Sequence, residues 1–133
     1  MIVVQAPAAD EDILMVVERW IALIAEHRYD DACALLIHDE ANQNWSAPML
    51  AEVFRGYGAL EGRGQVTPVA TAREEDYRPD QDVDWWVEET GPFAGDIHYS
   101  LPLNGVWSDL TAMFNIRRVQ NGFALELDDI HVL

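Results

Sequence analysis

The C-terminal stretch of the chain places two carboxylates next to an imidazole, at Asp128, Asp129 and His131. A carboxylate in an apolar pocket beside a histidine and a phenol can remove a proton next to a carbonyl group and return it, because burial shifts its pKa towards the working range. Tyr99 is the candidate phenol. We therefore predict Asp129, His131 and Tyr99 as candidate catalytic residues, on condition that all three face one cavity.

The elements that position these residues are predicted from two Asn-Gly pairs, which begin at Asn104 and Asn121. Asn-Gly between strand-like runs favours the tight hairpin turn whose two central residues both have positive φ. The three predicted strands span residues 97–103, 106–119 and 123–133. They are expected to form an antiparallel meander.

If both turns are two-residue loops, Asp129 lies opposite Phe114 and His131 lies opposite Ala112. Both side chains then point into the fold near Tyr99. The same register pairs Leu103 with Val106, Tyr99 with Leu110, Ile116 with Leu127 and Arg117 with Glu126.

A β-bulge at Asp128 and Asp129 is the alternative, because the apolar positions change phase within the last strand. With an extra residue there, Ile130 and Val132 stay in the core and His131 turns outward. No inward acid–base pair then remains, and the strand ends have a purely structural role.

Three helices are predicted before the sheet. Apolar residues recur at helical spacing over residues 10–27, after Asp10 as an N-terminal acid. A short second helix is expected to start with Asp30 as its N-cap. The third begins at Ser46, a good cap, and is expected to end at Gly56 and Gly58.

The middle of the chain is less regular. Residues 65–71 and 85–89 have strand composition, and residues 73–84 are predicted to be a solvated loop because acids dominate them. The acidic segment from Glu74 to Asp96 can be such a solvated surface, or it can dock a basic protein partner. The acids that would carry docking are Glu74, Glu75, Asp76, Asp80, Asp82 and Asp84.

Composition limits the function. The chain has 133 residues, which favours a single domain over 1–133, and a formal net charge of −16, which disfavours nucleic acid. Cys33 is its one cysteine, so no intrachain disulfide is expected. His27, His38 and His98 lie on different predicted elements with no carboxylate or histidine at ligand spacing, so no metal is expected. No cofactor motif and no apolar run long enough for a membrane span is present, so the expected location is cytoplasmic.

Three stretches together resemble one known superfamily. Residues 18–24, residues 29–36 and the final hairpins are similar to the long-helix, short-helix and curved-sheet pattern of the nuclear transport factor 2-like, or cystatin-like, proteins. The resemblance implies an α+β cone, with N-terminal helices packed on a curved antiparallel sheet around a pocket. The implied pocket residues are Trp20, Phe54, Tyr57 and Phe114.

The superfamily often forms homodimers through the outer face of its sheet. In the register without a bulge, Thr111, Met113, Ile130 and Val132 share that face, which predicts a homodimer. The bulged register instead predicts a polar outer face that suits a monomer.

Two functions follow as hypotheses, because fold alone does not fix function. The first is a non-enzymatic binding module, immunity-protein-like, for a basic protein or a small apolar ligand. The second is an isomerase or dehydratase that uses Asp129, His131 and Tyr99 in a closed pocket.

Overall fold

The computed structural model describes residues 1–38, 45–61, 80–88, 90–103 and 105–132, and for residues 56–61 and 106 it describes the backbone. Three helices precede most of a five-stranded sheet. In chain order the elements are β1 (Val4–Gln5), α1 (Asp10–Ala25), α2 (Tyr29–Ala34), α3 (Ala47–Glu61), β2 (Gln81–Trp85), β3 (Phe93–Leu103), β4 (Val106–Val119) and β5 (Gly122–Val132). None of the helices in these ranges is long and apolar enough to cross a membrane.

Helix α1 confirms the helix predicted over residues 10–27, apart from its last two residues. The backbone N–H of Ala9 donates to the Asp12 carboxylate over 2.9 Å, which satisfies one of the free amides at the helix start. His27 adopts a positive φ of 59° and ends the helical path. The apolar stripe is buried, and the Trp20 ring packs edge-on against Phe114 of β4 at 5.3 Å between ring centroids.

Helices α2 and α3 differ from prediction in where they begin or end, and α2 ends at Ala34, before the predicted end near His38. Helix α2 starts at Tyr29 with Arg28 as its cap residue, so the prediction of Asp30 as the N-cap is wrong. Helix α3 begins as predicted, because the Ser46 hydroxyl accepts the backbone N–H of Met49 over 3.3 Å. It then continues to Glu61 instead of ending at the two glycines. Glycine weakens a helix interior but does not by itself stop it.

The sheet is antiparallel throughout its described strands, in the order β1-β5-β4-β3-β2, and it curls strongly into a half-barrel. The curl brings Trp85 of β2 and Phe123 of β5 together, with ring centroids 5.1 Å apart. The Trp85 indole N–H also donates to the Asp10 carboxylate over 2.7 Å, which fixes the start of α1 over the same end of the sheet. The predicted α+β class is therefore confirmed.

Strand β2 corrects two predictions for the acidic region. It occupies Gln81–Trp85, so this strand lies upstream of the predicted residues 85–89 and includes the end of the predicted loop. Val83 and Trp85 alternate with acids, which is the period of a strand with one buried face. The strand predicted over residues 65–71 lies outside the described residues.

The β3–β4 hairpin starts in the predicted register and then shifts. Leu103 lies opposite Val106 as expected, but Tyr99 lies opposite Ala112 and not Leu110. β4 has two extra residues in between, where the Ser108 hydroxyl donates to the Leu101 carbonyl over 2.7 Å. A shift of two residues keeps each side chain on its predicted face.

The β4–β5 hairpin differs because Val119 pairs with Gly122, which puts the turn one residue earlier than predicted. Arg117 therefore lies opposite Ala124 and reaches Glu126 diagonally, at 2.8 Å. Ile116 likewise lies opposite Leu125 and not Leu127. Both shifts again preserve the faces.

The outer edge of β5 is covered along much of its length. β1 pairs with its first two residues, and the backbone N–H of Ile37 donates to the Leu125 carbonyl over 2.8 Å. Further along, the indole N–H of Trp45 donates to the Asp128 carbonyl over 3.0 Å. Covering an edge in this way satisfies its backbone groups and prevents pairing with other chains.

Candidate functional site

The sheet separates the three predicted catalytic residues. Asp129 lies opposite Met113 and His131 opposite Thr111, while Phe114 lies opposite Leu127. Asp128 is thus the extra residue of a bulge. It shifts the register of the following residues of β5 by one, so their side chains lie on the opposite face from the predicted one.

The inward register is therefore wrong, and the bulged alternative is confirmed for Ile130 and His131. Its expectation for Val132 is wrong, because that side chain near the end of β5 is 51% exposed and does not lie in the core. Ile130 pairs with Ala112 on the inner face, where Tyr99 also lies. Asp129 and His131 point to the outer face.

On that outer face Asp129 and His131 bind each other. Their carboxylate Oδ2 and imidazole Nδ1 lie 2.8 Å apart, and the backbone N–H of Ile130 donates to the second carboxylate oxygen over 2.8 Å. The His131 and Asp129 side chains are 38% and 50% exposed, so the pair is open to solvent. The arrangement stabilises the bulge locally.

Tyr99 is buried under α1 with its ring 6.2 Å from that of Trp107. Burial, with a smaller contribution from the Glu18 charge, raises the pKa of Tyr99 to about 12. Its hydroxyl accepts a hydrogen bond from the Gln81 side chain over 3.4 Å. The phenol therefore stays protonated at neutral pH and contributes to the core.

The predicted pocket residues fill the space between helices and sheet. Trp20, Phe54 and Phe114 are 0%, 4% and 1% exposed, so almost none of their surface lines a cavity that water could enter. The side chain of Tyr57 lies outside the described residues. Among the described side chains, the inner face of the sheet is a packed core.

The outer face is polar. The homodimer was predicted from an apolar outer face, so this support for it is lost. Ile130 lies inside at 7% exposure, and cross-strand neighbours on the outer face include His98, Met113 and Asp129 in one row. The apolar outer patch expected without the bulge is absent from the described strands. Dimerisation through this face stays a prediction.

One pair on the outer face has matching charges. Asp84 of β2 lies directly opposite Asp96 of β3, and Asp84 is exposed. Directly opposite residues have Cβ atoms about 5 Å apart, and like charges at that distance are destabilising. The His98 imidazole Nε2 lies 3.9 Å from the Asp96 carboxylate.

Trp86 extends this pair towards the end of β2. Its indole N–H donates to Asp96 Oδ2 over 2.9 Å, and its ring packs against Phe93 with 6.2 Å between centroids. Trp86 is 40% exposed, and the next residue, Val87, is 93% exposed. We name Asp84, Asp96 and Trp86 the acid–tryptophan cluster.

Sequence reasoning placed these acids in a docking run but did not find the cluster. The signal was available in part, because Asp82, Asp84 and Trp86 alternate with Val83 and Trp85. The partner strand could not be assigned without a register for β2. Glu74, Glu75 and Asp76 of the same run lie outside the described residues.

Other polar side chains form no metal centre in the parts of the chain that the structure describes, because no three possible ligands come together there. The Cys33 thiol lies half-buried, and burial followed by the Asp30 charge raises its pKa. A thiol in this state is a poor nucleophile.

Comparisons with protein-family models, with curated proteins and with solved structures give no match for this chain.

Proposed function

We propose that the chain is a non-enzymatic binding module that docks an arginine-bearing segment of a basic protein at the acid–tryptophan cluster. The observation that carries this proposal is the cross-strand position of Asp84 and Asp96 on an exposed face beside Trp86. Two like charges in direct opposition lower stability, and a bound cation would relieve that repulsion.

Arginine suits this cluster better than lysine. A guanidinium group is planar, donates in two directions to carboxylates and stacks on aromatic faces. Asp84 and Asp96 supply carboxylates, and the partly exposed ring of Trp86 supplies an aromatic surface next to them. Exposed Val87 adds an apolar contact at the edge of the cluster.

The packed inner face supports binding in preference to catalysis. An isomerase or dehydratase that used Asp129, His131 and Tyr99 would need them in one water-excluding pocket. Tyr99 lies on the opposite side of the sheet from the other two residues. The buried inner face likewise leaves no room for a small apolar ligand among the described core residues.

We also propose that the fold belongs to the nuclear transport factor 2-like superfamily. The support is the order of elements, with three helices before a strongly curled antiparallel sheet. Immunity-type inhibitors are one class within that superfamily that would use an acidic docking surface against a basic protein.

The first test measures binding of oligo-arginine and oligo-lysine peptides of equal length by calorimetry. The wild type should prefer oligo-arginine, and the Asp84→Asn/Asp96→Asn variant should bind it about tenfold more weakly, the equivalent of about 1.4 kcal/mol. Trp86→Ala should reduce the preference for arginine over lysine, because it removes stacking and leaves the charges.

Glu11→Gln/Glu18→Gln is the matched control, since it removes the same two negative charges from exposed positions on α1. It should change affinity by no more than about twofold, which is the scale expected for screened surface charges. Equal losses in both double variants would mean that net charge, and not the cluster, attracts the peptide. That result would refute the proposed site.

The second test identifies the natural partner by capture from the native host and measures its association rate. Raising the salt concentration should lower the on-rate more than it raises the off-rate, because exposed charges are screened over about 8 Å at physiological ionic strength. Neutralising the six acids of the predicted docking run, Glu74 to Asp84, should reproduce that loss at low salt. An unchanged on-rate would reduce the run to a solubilising surface.

A further inference from the structure

A shallow groove of about 430 Å³ lies between α1 and the N-terminal strand, and its lining residues include no member of the acid–tryptophan cluster. One wall is formed by β1 and the residue pair before it, held in place by pairing with β5 and by the Ile2 N–H bond to the Leu35 carbonyl at 2.9 Å. The other wall is α1. The lining residues are Ile2, Val4, Gln5, Asp12, Met15, Val16 and Arg19.

Apolar side chains project beside this groove. Met15 is 65% exposed, and Met1 and Val3 on the adjacent N-terminal segment are 60% and 39% exposed. The surface thus has a raised apolar side chain, Met15, directly beside a depression with apolar walls. A surface with both features can be complementary to itself.

The two charges of the groove have opposite sign and lie on one helix face. Asp12, Met15 and Arg19 follow the spacing of that face, and seven residues separate the charges by about 10 Å along the axis. In a chain with a net charge of −16, no ion pair or side-chain hydrogen bond of Arg19 is recorded within the described residues. The other described arginines, Arg28, Arg55, Arg117 and Arg118, all bind carboxylates or carbonyls.

We propose that a second copy of this chain occupies the groove, with the two α1 helices antiparallel about a two-fold axis near Met15 and Val16. In that arrangement Asp12 of one copy lies level with Arg19 of the second copy, and the reverse pair forms on the other side of the axis. Met15 of each copy enters the groove of the other.

Charge complementarity selects this occupant. A basic peptide would meet Arg19, an acidic one would meet Asp12, and an apolar molecule would supply neither side chain with an opposite charge. An antiparallel copy pairs both charges at once. This surface differs from the outer sheet face, so it leaves the acid–tryptophan cluster free on both copies.

Because each chain carries a large net negative charge, added salt should strengthen this association. Two chains of −16 repel each other at low ionic strength, and this long-range repulsion is screened before the close Asp12 to Arg19 pairs are. Dimer formation should therefore increase from low salt to physiological salt. The apolar contact of Met15 persists at both.

The test is a charge-reversal experiment on the full chain, read by sedimentation velocity at physiological salt. The wild type should dimerise, and Asp12→Arg and Arg19→Asp should each weaken self-association by at least about tenfold, because each single variant places like charges opposite each other. An equimolar mixture of the two variants should form a heterodimer, since both opposed pairs are then of opposite sign. The double variant Asp12→Arg/Arg19→Asp should dimerise again.

Two controls distinguish the loss of the interface from a loss of folding and from a change in net charge. Glu18→Arg changes the net charge as much as Asp12→Arg does, but Glu18 is not a groove residue, so it should leave the dimer intact. Because Asp12 also accepts the Ala9 N–H, the helical circular dichroism of Asp12→Arg must match the wild type, and Met15→Glu provides an independent disruption. A monomeric wild type at about 100 μM, or a mixture of variants that stays monomeric, would overturn the proposal.

Discussion

The two faces of the same sheet are built from alternating residues of the same strands, yet they have opposite properties. Phe114 and Ile116 of β4 are buried against the helices, while Met113, Asn115 and Arg117, which alternate with them, lie on the outer face. The inner face has its side chains in one continuous hydrophobic cluster with α1. The outer face instead has cross-strand pairs of charged and polar groups.

This difference shows where selection for stability and selection for binding can act separately. A packed inner face tolerates little change, because its side chains touch neighbours on several elements. The outer face has a well-satisfied ion pair, Arg117 with Glu126, and an unfavourable pair, Asp84 with Asp96. The unfavourable pair is the feature that packing alone does not explain.

The largest expected effect is on the inner face. Phe114→Ala should lower the free energy of unfolding by about 3–5 kcal/mol, because it removes a fully buried ring and its contact with Trp20. Met113→Ala, the adjacent residue on the outer face, should lower it by only about 1 kcal/mol. Urea unfolding of both variants measures the difference, and equal losses would contradict the distinction between the faces.

The next effect tests the favourable outer pair. Glu126 is 5% exposed and its carboxylate lies 2.8 Å from Arg117, whose guanidinium also lies over the Phe93 ring. Glu126→Gln should lower stability by about 2 kcal/mol, because it removes the negative charge that the partly buried Arg117 guanidinium binds. Arg117→Met/Glu126→Met should recover most of that loss. If the double variant is less stable than the single one, the pair contributes more than it costs to bury.

Alkaline pH tests how well the inner face excludes water. Burial raises the pKa of Tyr99 to about 12, above the value of about 10 in the unfolded chain. The unfolded chain therefore loses this proton first, so the stability contribution is complete below pH 10 and disappears between about pH 10 and 12. Tyr99→Phe should flatten the stability curve in this range. Parallel curves for the two proteins would show that the phenol is hydrated.

Much of this architecture could be predicted because it depends on local periodicity. The apolar spacing of Ile13, Val17, Trp20 and Ile24 predicts a helix with one buried face. The Asn-Gly pairs favour hairpins wherever they lie between strands. The in-and-out assignment also survived two register shifts, because each shift was of two residues.

The arrangement of the candidate site residues could not be predicted from local patterns in this way. Whether Asp129 faces inward depends on a single extra residue, Asp128, whose carbonyl is held by Trp45 from 83 positions earlier in the chain. Likewise, the opposition of Asp84 and Asp96 depends on the β2 register, and the high acid content hid the strand alternation. Both features are set by tertiary contacts that single-sequence patterns do not contain.

The smallest expected effect has the opposite sign. Asp84→Asn should raise the free energy of unfolding by about 0.5 kcal/mol, because it removes one of two like charges that lie directly opposite each other. Asp82→Asn is the matched control on the same strand and face, where the opposite residue is His98. It removes the same charge without relieving a like-charge pair, so it should give no gain.

Two further measurements on Asp84→Asn, its stability at high salt and its affinity for oligo-arginine, test whether like-charge repulsion causes the gain in stability. The gain should disappear at about 1 M salt, where charges are screened beyond about 3 Å. The same variant should be more stable than the wild type and should bind oligo-arginine more weakly. Both effects have one cause, because the lost Asp84 charge repels Asp96 in the free protein and would attract a guanidinium group in the complex. An Asp84→Asn variant that is both less stable and unchanged in peptide binding would give the acid pair a structural role and leave the proposed docking site without its main support.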